Sequence, residues 1–286
     1  MKVGRRGRVI VLAGFLAAGV PLLRGQFTPA EIEQRAENEE FLKTAEIVRS
    51  EPVGEGVTAP WKLFLRKDGR EHKAAWKNVV TQPGGPPDEW RYEIAAYRLD
   101  KLLGLKLVPP AVERNFNGKP GALSYWAENR YSLLKIEESA GAIQIPADAL
   151  EQTNKMKYLC RLWDSLIAND DRTQQNILYT EDWRTILIDH SRAFRTDGEY
   201  GTRLIYGVRG IKTMSDGQGG RRPVLFRRIP RVFLDRLRTL DAAAVEAAVG
   251  PYLTKTEIAA VLVRKDLILT EVKEMIARDG EDKVLY

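Results

Sequence analysis

The sequence predicts an α+β protein in which a β-rich first half and a mainly helical second half meet at a cleft. Three observations predict it. Short strand-like runs separated by glycine turns crowd residues 45–126. Apolar residues recur at helical spacing over residues 89–103, 150–168 and 230–278. Between Asn169 and Phe194 a polar loop and a hairpin gather carboxylates and amides into one stretch. With 286 residues, 44% of them hydrophobic, the chain is long enough for one large domain or for two lobes with sizeable cores.

Residues 1–25 read as an export signal. Lys2 to Arg8 is a positive segment, and Val9 to Leu23 is an uncharged apolar run of 15 residues. Ala17-Ala18-Gly19 or Arg24-Gly25 offers small residues near a cleavage point. The run is short for a membrane span, so export to a periplasm, a secretory lumen or the outside is expected. A membrane contact would come only through an uncleaved signal. This segment also dominates the net charge: it holds five basic residues and no acid, so the formal +6 of the chain falls to 40 basic against 39 acidic residues beyond it. The near-neutral remainder gives no reason to expect nucleic acid as a partner. A single cysteine, Cys160, excludes an internal disulfide, and with two histidines in all a His/Cys zinc site is not expected. Cys160 lies in an apolar helical stretch and reads as a small buried hydrophobe.

Thr28-Pro29-Ala30-Glu31 is a capping box with proline at the first helical position, opening a polar helix to about Lys43 that is expected to lie outside the catalytic core. Ala45 to Arg49 reads as a strand and runs into a segment with Gly54, Gly56 and Thr58. Two glycines there would let backbone amides approach phosphates, with the Thr58 hydroxyl as a further donor; an ordinary turn is the alternative. Trp61 to Arg66 and Glu71 to Val80 are strands joined by an Asp68-Gly69 turn. Tyr92, Ala95, Ala96, Leu99, Leu102 and Leu103 make one face of a helix over Glu89 to Leu103, and Gly104 stops it. Glu93 sits about 100° around that helix from Tyr92, on the flank of the stripe, and can reach inward. Val112 to Phe116 and Ala122 to Trp126 form a further hairpin around Asn117-Gly118.

A helix over Leu150 to Ala168 delivers the polar loop. Asp171 stands five residues before Asn176, a spacing that lets a carboxylate face a substrate hydroxyl while an amide faces a metal ion. Asp170 is adjacent, and the spacing to Asn176 and the following Arg172 favour Asp171 as the base. Ile177 to Tyr179 and Thr185 to Ile188 read as a hairpin, which returns Asp189 to the side of Asn176. Asn176 and Asp189 are hard oxygen ligands suited to Mg²⁺ or Mn²⁺. Arg172 either adds charge near a transferred phosphate or braces the loop.

Asp171-Arg-Thr-Gln-Gln-Asn176 followed by Ile188-Asp189-His190 resembles the Asp-Arg-His-x-x-Asn and Ile-Asp-Phe-Gly signatures of the phosphatidylinositol 3-/4-kinase-like superfamily. HipA-type kinases and the secretory-pathway kinases of the Golgi casein kinase group share that layout. The resemblance implies a two-lobed, protein-kinase-like fold binding ATP with Mg²⁺ or Mn²⁺. Small lobe and hinge would span residues 44–128 and the large lobe residues 129–286, after a helical extension over residues 26–43. It also implies that Lys77 contacts the nucleotide phosphates and pairs with Glu93, with Lys62 and Lys73 as competing lysines and Glu89 as the competing partner. Backbone groups around Leu123, Ser124, Tyr125 and Trp126 would meet adenine. Two positions depart from the family pattern: Thr173 replaces its histidine, and Asp189-His190-Ser191 replaces the glycine-ended triplet.

Residues 191–231 hold ten Arg or Lys against three acids, with seven glycines, and read as a mobile loop. An acidic or phosphorylated acceptor would suit it, whereas arginines paired within the large lobe are the plainer reading. Pro230 to Leu240, Ala242 to Val249, Thr254 to Val263 and Lys265 to Arg278 read as closing helices. The expected activity is therefore transfer of the γ-phosphate of ATP to a hydroxyl acceptor on a protein, lipid headgroup or saccharide. A pseudokinase that binds nucleotide or a partner, and AMP transfer on the same fold, are the alternatives.

Overall fold

A computed structural model describes residues 27–54, 60–85 and 87–286; the expected signal, Gly56 and Thr58 lie outside them. The elements run α1 (Pro29–Glu33), α2 (Arg35–Thr44), β1 (Glu46–Pro52), β2 (Trp61–Lys67), β3 (Arg70–Lys77), α3 (Arg91–Leu103), β4 (Ala111–Phe116) and β5 (Lys119–Tyr125). The chain continues with β6 (Tyr131–Ser132), α4 (Leu133–Glu138), α5 (Ala147–Ile167), β7 (Ile177–Tyr179), β8 (Thr185–Leu187), β9 (Thr213–Ser215) and β10 (Arg221–Pro223). It closes with α6 (Arg231–Thr239), α7 (Ala242–Val249), α8 (Lys255–Asp279) and α9 (Glu281–Val284).

A five-stranded antiparallel sheet in the order β1-β2-β3-β5-β4 dominates the first half. Its tight turns follow from residues that accept a left-handed backbone: Asp68 and Gly69 have φ of 49° and 77°, and Asn117 and Gly118 have φ of 50° and 72°. At the β3–β5 crossing a side chain on residue 121 would meet the Lys77 carbonyl at 2.4 Å, so only glycine lets the two strands approach there.

The capping box at Thr28 forms as expected, donating and accepting with Glu31. The helix it opens breaks at Gln34, and it does not stand outside the fold. Phe41 and Leu42 from α2 pack with Leu63, Leu65, Trp76 and Leu123 in the sheet core. Phe27 packs against Leu178 and Ile186 of the β7–β8 hairpin, and Glu31 pairs with Arg184 at 2.7 Å. The amino-terminal segment therefore touches both halves of the molecule.

A larger apolar core joins α3 to the helical half. Leu99 and Leu103 share it with Leu159, Trp163, Phe194, Phe233 and Val261. The carboxy-terminal segment expected as two helices is one, α8. Arg264 interrupts the apolar spacing but not the helix, because its guanidinium is buried on the carbonyls of Leu166, Arg195 and Tyr200. Among the described residues no helix is long and apolar enough to cross a membrane.

Candidate active site

The site is a cleft of about 290 Å³ between the sheet and the helical half. Lys77 ends β3, where alternation along the strand turns its side chain away from the sheet core and into this cleft. Its ammonium donates to Glu93 Oε1 at 2.8 Å and to Asp189 Oδ1 at 2.7 Å. The competing lysines are engaged elsewhere: Lys62 with Glu51 and Lys73 with Glu128, each at 3.0 Å. Glu89, the competing carboxylate, accepts from Thr81 and Arg91.

Glu93, in the first turn of α3, uses both carboxylate oxygens. Oε1 takes Lys77 and Oε2 accepts from the His190 backbone N–H at 3.1 Å. Burial alone would raise this carboxyl, but the Lys77 charge and the contacts with His190 outweigh it and hold it well below the usual carboxylate range. Burial alone would likewise lower Lys77, and the Glu93 and Asp189 carboxylates reverse that, holding the ammonium above its ordinary value. His190 is fully buried. It accepts from the Trp163 indole N–H at 3.4 Å, which puts a proton on Nδ1, and burial with the nearby Arg172 charge lowers the ring below its ordinary value despite Glu93 and Asp164.

Asp189 lies two residues past β8 and takes a left-handed φ of 60°, which Asp tolerates better than bulkier residues. Ser191, which stands where the resembling signature has glycine, has no positive φ, so a left-handed backbone is not needed there. The Ile188 N–H donates to the Asn176 carbonyl at 3.2 Å, and this bond sets Asn176 beside Asp189 as the hairpin spacing predicted. Both residues line the cleft.

Asp170 and Asp171 separate clearly. The Asp170 carboxylate is held by Arg195 at 2.7 Å and by the Tyr200 hydroxyl, and Lys212 caps its carbonyl. The Asp171 carboxylate has one partner among the described residues, Arg192 Nη1 at 3.3 Å, and its side chain is 45% exposed. Burial raises its carboxyl; Arg192 opposes this, but Asp189, Asp170 and Asp88 add to it and leave the group above its ordinary value. Of the two roles open to Arg172, its contacts are those of a brace. It is 3% exposed, pairs with Asp164 at 3.0 Å and donates to the carbonyls of Ile188 and Asn176.

The nucleotide-side residues divide. Ser124, Tyr125 and Trp126 line the cleft, but Leu123 does not: its side chain is fully buried in the sheet core, on the opposite face of β5. The amides of Tyr125 and Trp126 already donate to Pro110 and Lys73 carbonyls, and the Trp126 carbonyl bonds His72 at 3.0 Å. Those backbone groups are therefore already engaged within the protein, and Ala127 also lines the cleft. Gly54 has φ of 73° and open space around its α-carbon, but does not line the cleft.

Among the described residues five of the ten basic residues of this loop pair with carboxylates, and only Arg195–Asp197 and Arg203–Glu199 are pairs within the loop. Arg192, Arg195, Arg203, Arg209 and Arg231 each meet a carboxylate. The sequence did not single out the Arg192–Asp88 contact, whose members lie 104 residues apart, nor the burial of Arg264 outside the cleft, whose acceptors are main-chain carbonyls. No protein-family model and no curated protein sequence matches the chain.

Proposed function

We propose that this protein is an ATP- and divalent-metal-dependent phosphotransferase of the atypical kinase class, with the sheet as small lobe and the helical half as large lobe. One observation carries the reading: an ammonium, Lys77, held in a cleft between a helix carboxylate, Glu93, and a hairpin carboxylate, Asp189, on three distant parts of the chain. That is the arrangement needed to place a cation against nucleotide phosphates.

Ala75, Val108, Leu178 and Leu187 give the cleft apolar walls suited to a flat base. Lys77 binds the phosphates. Asn176 has both backbone groups engaged in the loop, which leaves its side-chain amide free of partners among the described residues, and Asp189 Oδ2 is free in the same sense. These oxygens fit Mg²⁺ or Mn²⁺, which when bound neutralises charge on the phosphate oxygens. Among the described residues no group of three or more His, Cys, Asp or Glu converges, so phosphate and water would complete the coordination. Asp171 orients the acceptor hydroxyl and takes its proton. The acceptor oxygen bonds to the γ-phosphorus as the bond to the bridging oxygen breaks and ADP leaves. The raised carboxyl of Asp171 suits that task, since a base works best with a pKa nearer the working pH.

Calorimetric titration with ATP tests the site. Binding should strengthen with Mg²⁺, and Asp189→Ala should remove that gain while keeping metal-free binding. Equal binding with and without metal in the wild-type protein would refute the assignment of Asn176 and Asp189. Export of the chain remains part of the proposal, checked by sequencing the mature amino terminus.

A further inference from the structure

Phosphoryl transfer needs cations facing the phosphate oxygens on the acceptor side as well as the nucleotide side. Lys77 serves the nucleotide side. Arg172, the acceptor-side candidate by sequence, has its guanidinium buried on Asp164 and two carbonyls and cannot turn outward without stranding Asp164.

The structure assigns that place to Arg192. Its Nε donates to Asp88 Oδ2 at 3.1 Å and its Nη1 to Asp171 Oδ2 at 3.3 Å. No other cation reaches the Asp171 carboxylate among the described residues. A guanidinium has five N–H donors in a rigid fork; two are used, and the other three make no bond to a described residue. The side chain is 29% exposed, so those donors are accessible. Asp88 fixes the fork from behind. It is nearly buried, and the adjacent Glu89 N–H donates to the Ser191 carbonyl at 2.7 Å, tying residues 88–89 to residues 191–192.

We propose that Arg192 is a catalytic residue: it orients the Asp171 carboxylate and presents its unused N–H donors to the phosphoryl group as it passes to the acceptor. This rests on the phosphotransferase reading. The acceptor oxygen must lie between Asp171 and the γ-phosphorus, so a fork bonded to Asp171 stands within one side chain's reach of the phosphate oxygens. Asp171 is faced by Arg192, Asp189, Asp170 and Asp88, and Arg192 is the one cation among them that favours its ionised form.

The test uses γ-labelled ATP with Mg²⁺ or Mn²⁺ and follows label released to water or transferred to the protein itself. Arg192→Met should lose about 100-fold or more in turnover, as for loss of a charge-stabilising donor. Its ATP affinity should stay unchanged, and the acidic limb of its pH–rate profile should move to higher pH. Arg192→Lys should recover part of the loss, since an ammonium keeps the charge but cannot span both carboxylates. Added guanidinium ion should partly rescue Arg192→Gly, which keeps the test open if the Met variant folds poorly. Asp88→Asn should lose far less than Arg192→Met. Wild-type turnover in Arg192→Met, or equal losses in Arg192→Met and Asp88→Asn with an unmoved acidic limb, would leave Arg192 as a structural tie and overturn the proposal. No label transfer by the wild-type protein would overturn the phosphotransferase reading, and this proposal with it.

Discussion

Replacing Lys77 by Met strands Glu93 in the interior, and the size of the effect follows from the burial of the pair. The two side chains are 12% and 7% exposed, so little water can replace a lost partner. Removing one member of a buried ion pair costs roughly 3–5 kcal/mol. Glu93→Met should cost less, about 2–3 kcal/mol, because Lys77 keeps Asp189 and only the His190 N–H loses its acceptor. The double variant removes the shared contact once, so the two losses should be non-additive by about 1–3 kcal/mol. Urea unfolding followed by tryptophan fluorescence measures each term from the midpoint at constant slope. The pH dependence has a definite sign. The Glu93 carboxyl is depressed in the folded protein, so its contribution is present above an unfolded value of about 4.3 and is lost as pH falls. Lys77 is raised, so its contribution is present below about 10.4 and is lost as pH rises through the folded value. In Lys77→Met the stranded carboxyl should instead take up a proton readily, and the gap to wild type should narrow toward acid. Additive losses within about 0.5 kcal/mol, or a gap that widens toward acid, would refute the ion-pair argument.

Asp171→Asn should keep ATP binding and lose about 10²–10⁴ in turnover, whereas Asp170→Asn should mainly lower the unfolding temperature, since its carboxylate is committed to Arg195 and Tyr200. Arg264→Met should destabilise by roughly 2–4 kcal/mol in thermal or urea unfolding, because the carbonyls of Leu166, Arg195 and Tyr200 lose a buried donor; a loss under about 0.5 kcal/mol would show that water replaces it. Cys160 is buried, and burial with the nearby Asp164 charge pushes its thiol up to about 12. Iodoacetamide at pH 8 should therefore leave it unlabelled until the protein unfolds, and rapid labelling of the native chain would contradict the buried placement.

The features legible in the sequence are those set by local spacing. The β7–β8 hairpin, the left-handed turns at Asp68-Gly69 and Asn117-Gly118, and Glu93 on the flank of α3 all follow from periods of two or about three and a half residues. Those periods set which way Lys77 and Glu93 point within their own elements, and tertiary packing then brings them to one cleft with Asn176 and Asp189. What the sequence hid depends on contacts between distant residues. A basic residue at 264 looks like a break in an apolar stripe unless its three carbonyl acceptors are known. Arg172 and Arg192 are equally basic on paper, and only their surroundings separate a buried brace from a half-open fork. Leu123 and Ser124 are neighbours in sequence, yet strand alternation sends one into the sheet core and the other to the cleft. The helix after Thr28 reads as polar because most of it is, while its last turn buries Phe41 and Leu42.

The most direct test of the central claim incubates the purified protein with ATP labelled at either the α- or the γ-phosphate, with Mg²⁺ or Mn²⁺, alongside extracts supplying hydroxyl acceptors. The account predicts that label moves covalently from the γ position alone, that it requires the metal, and that Asp171→Asn slows it by about 10²–10⁴ without abolishing nucleotide binding. Transfer of the α label would mean AMP transfer, and tight ATP binding with no transfer of either label would mean a pseudokinase; each result would contradict phosphotransfer.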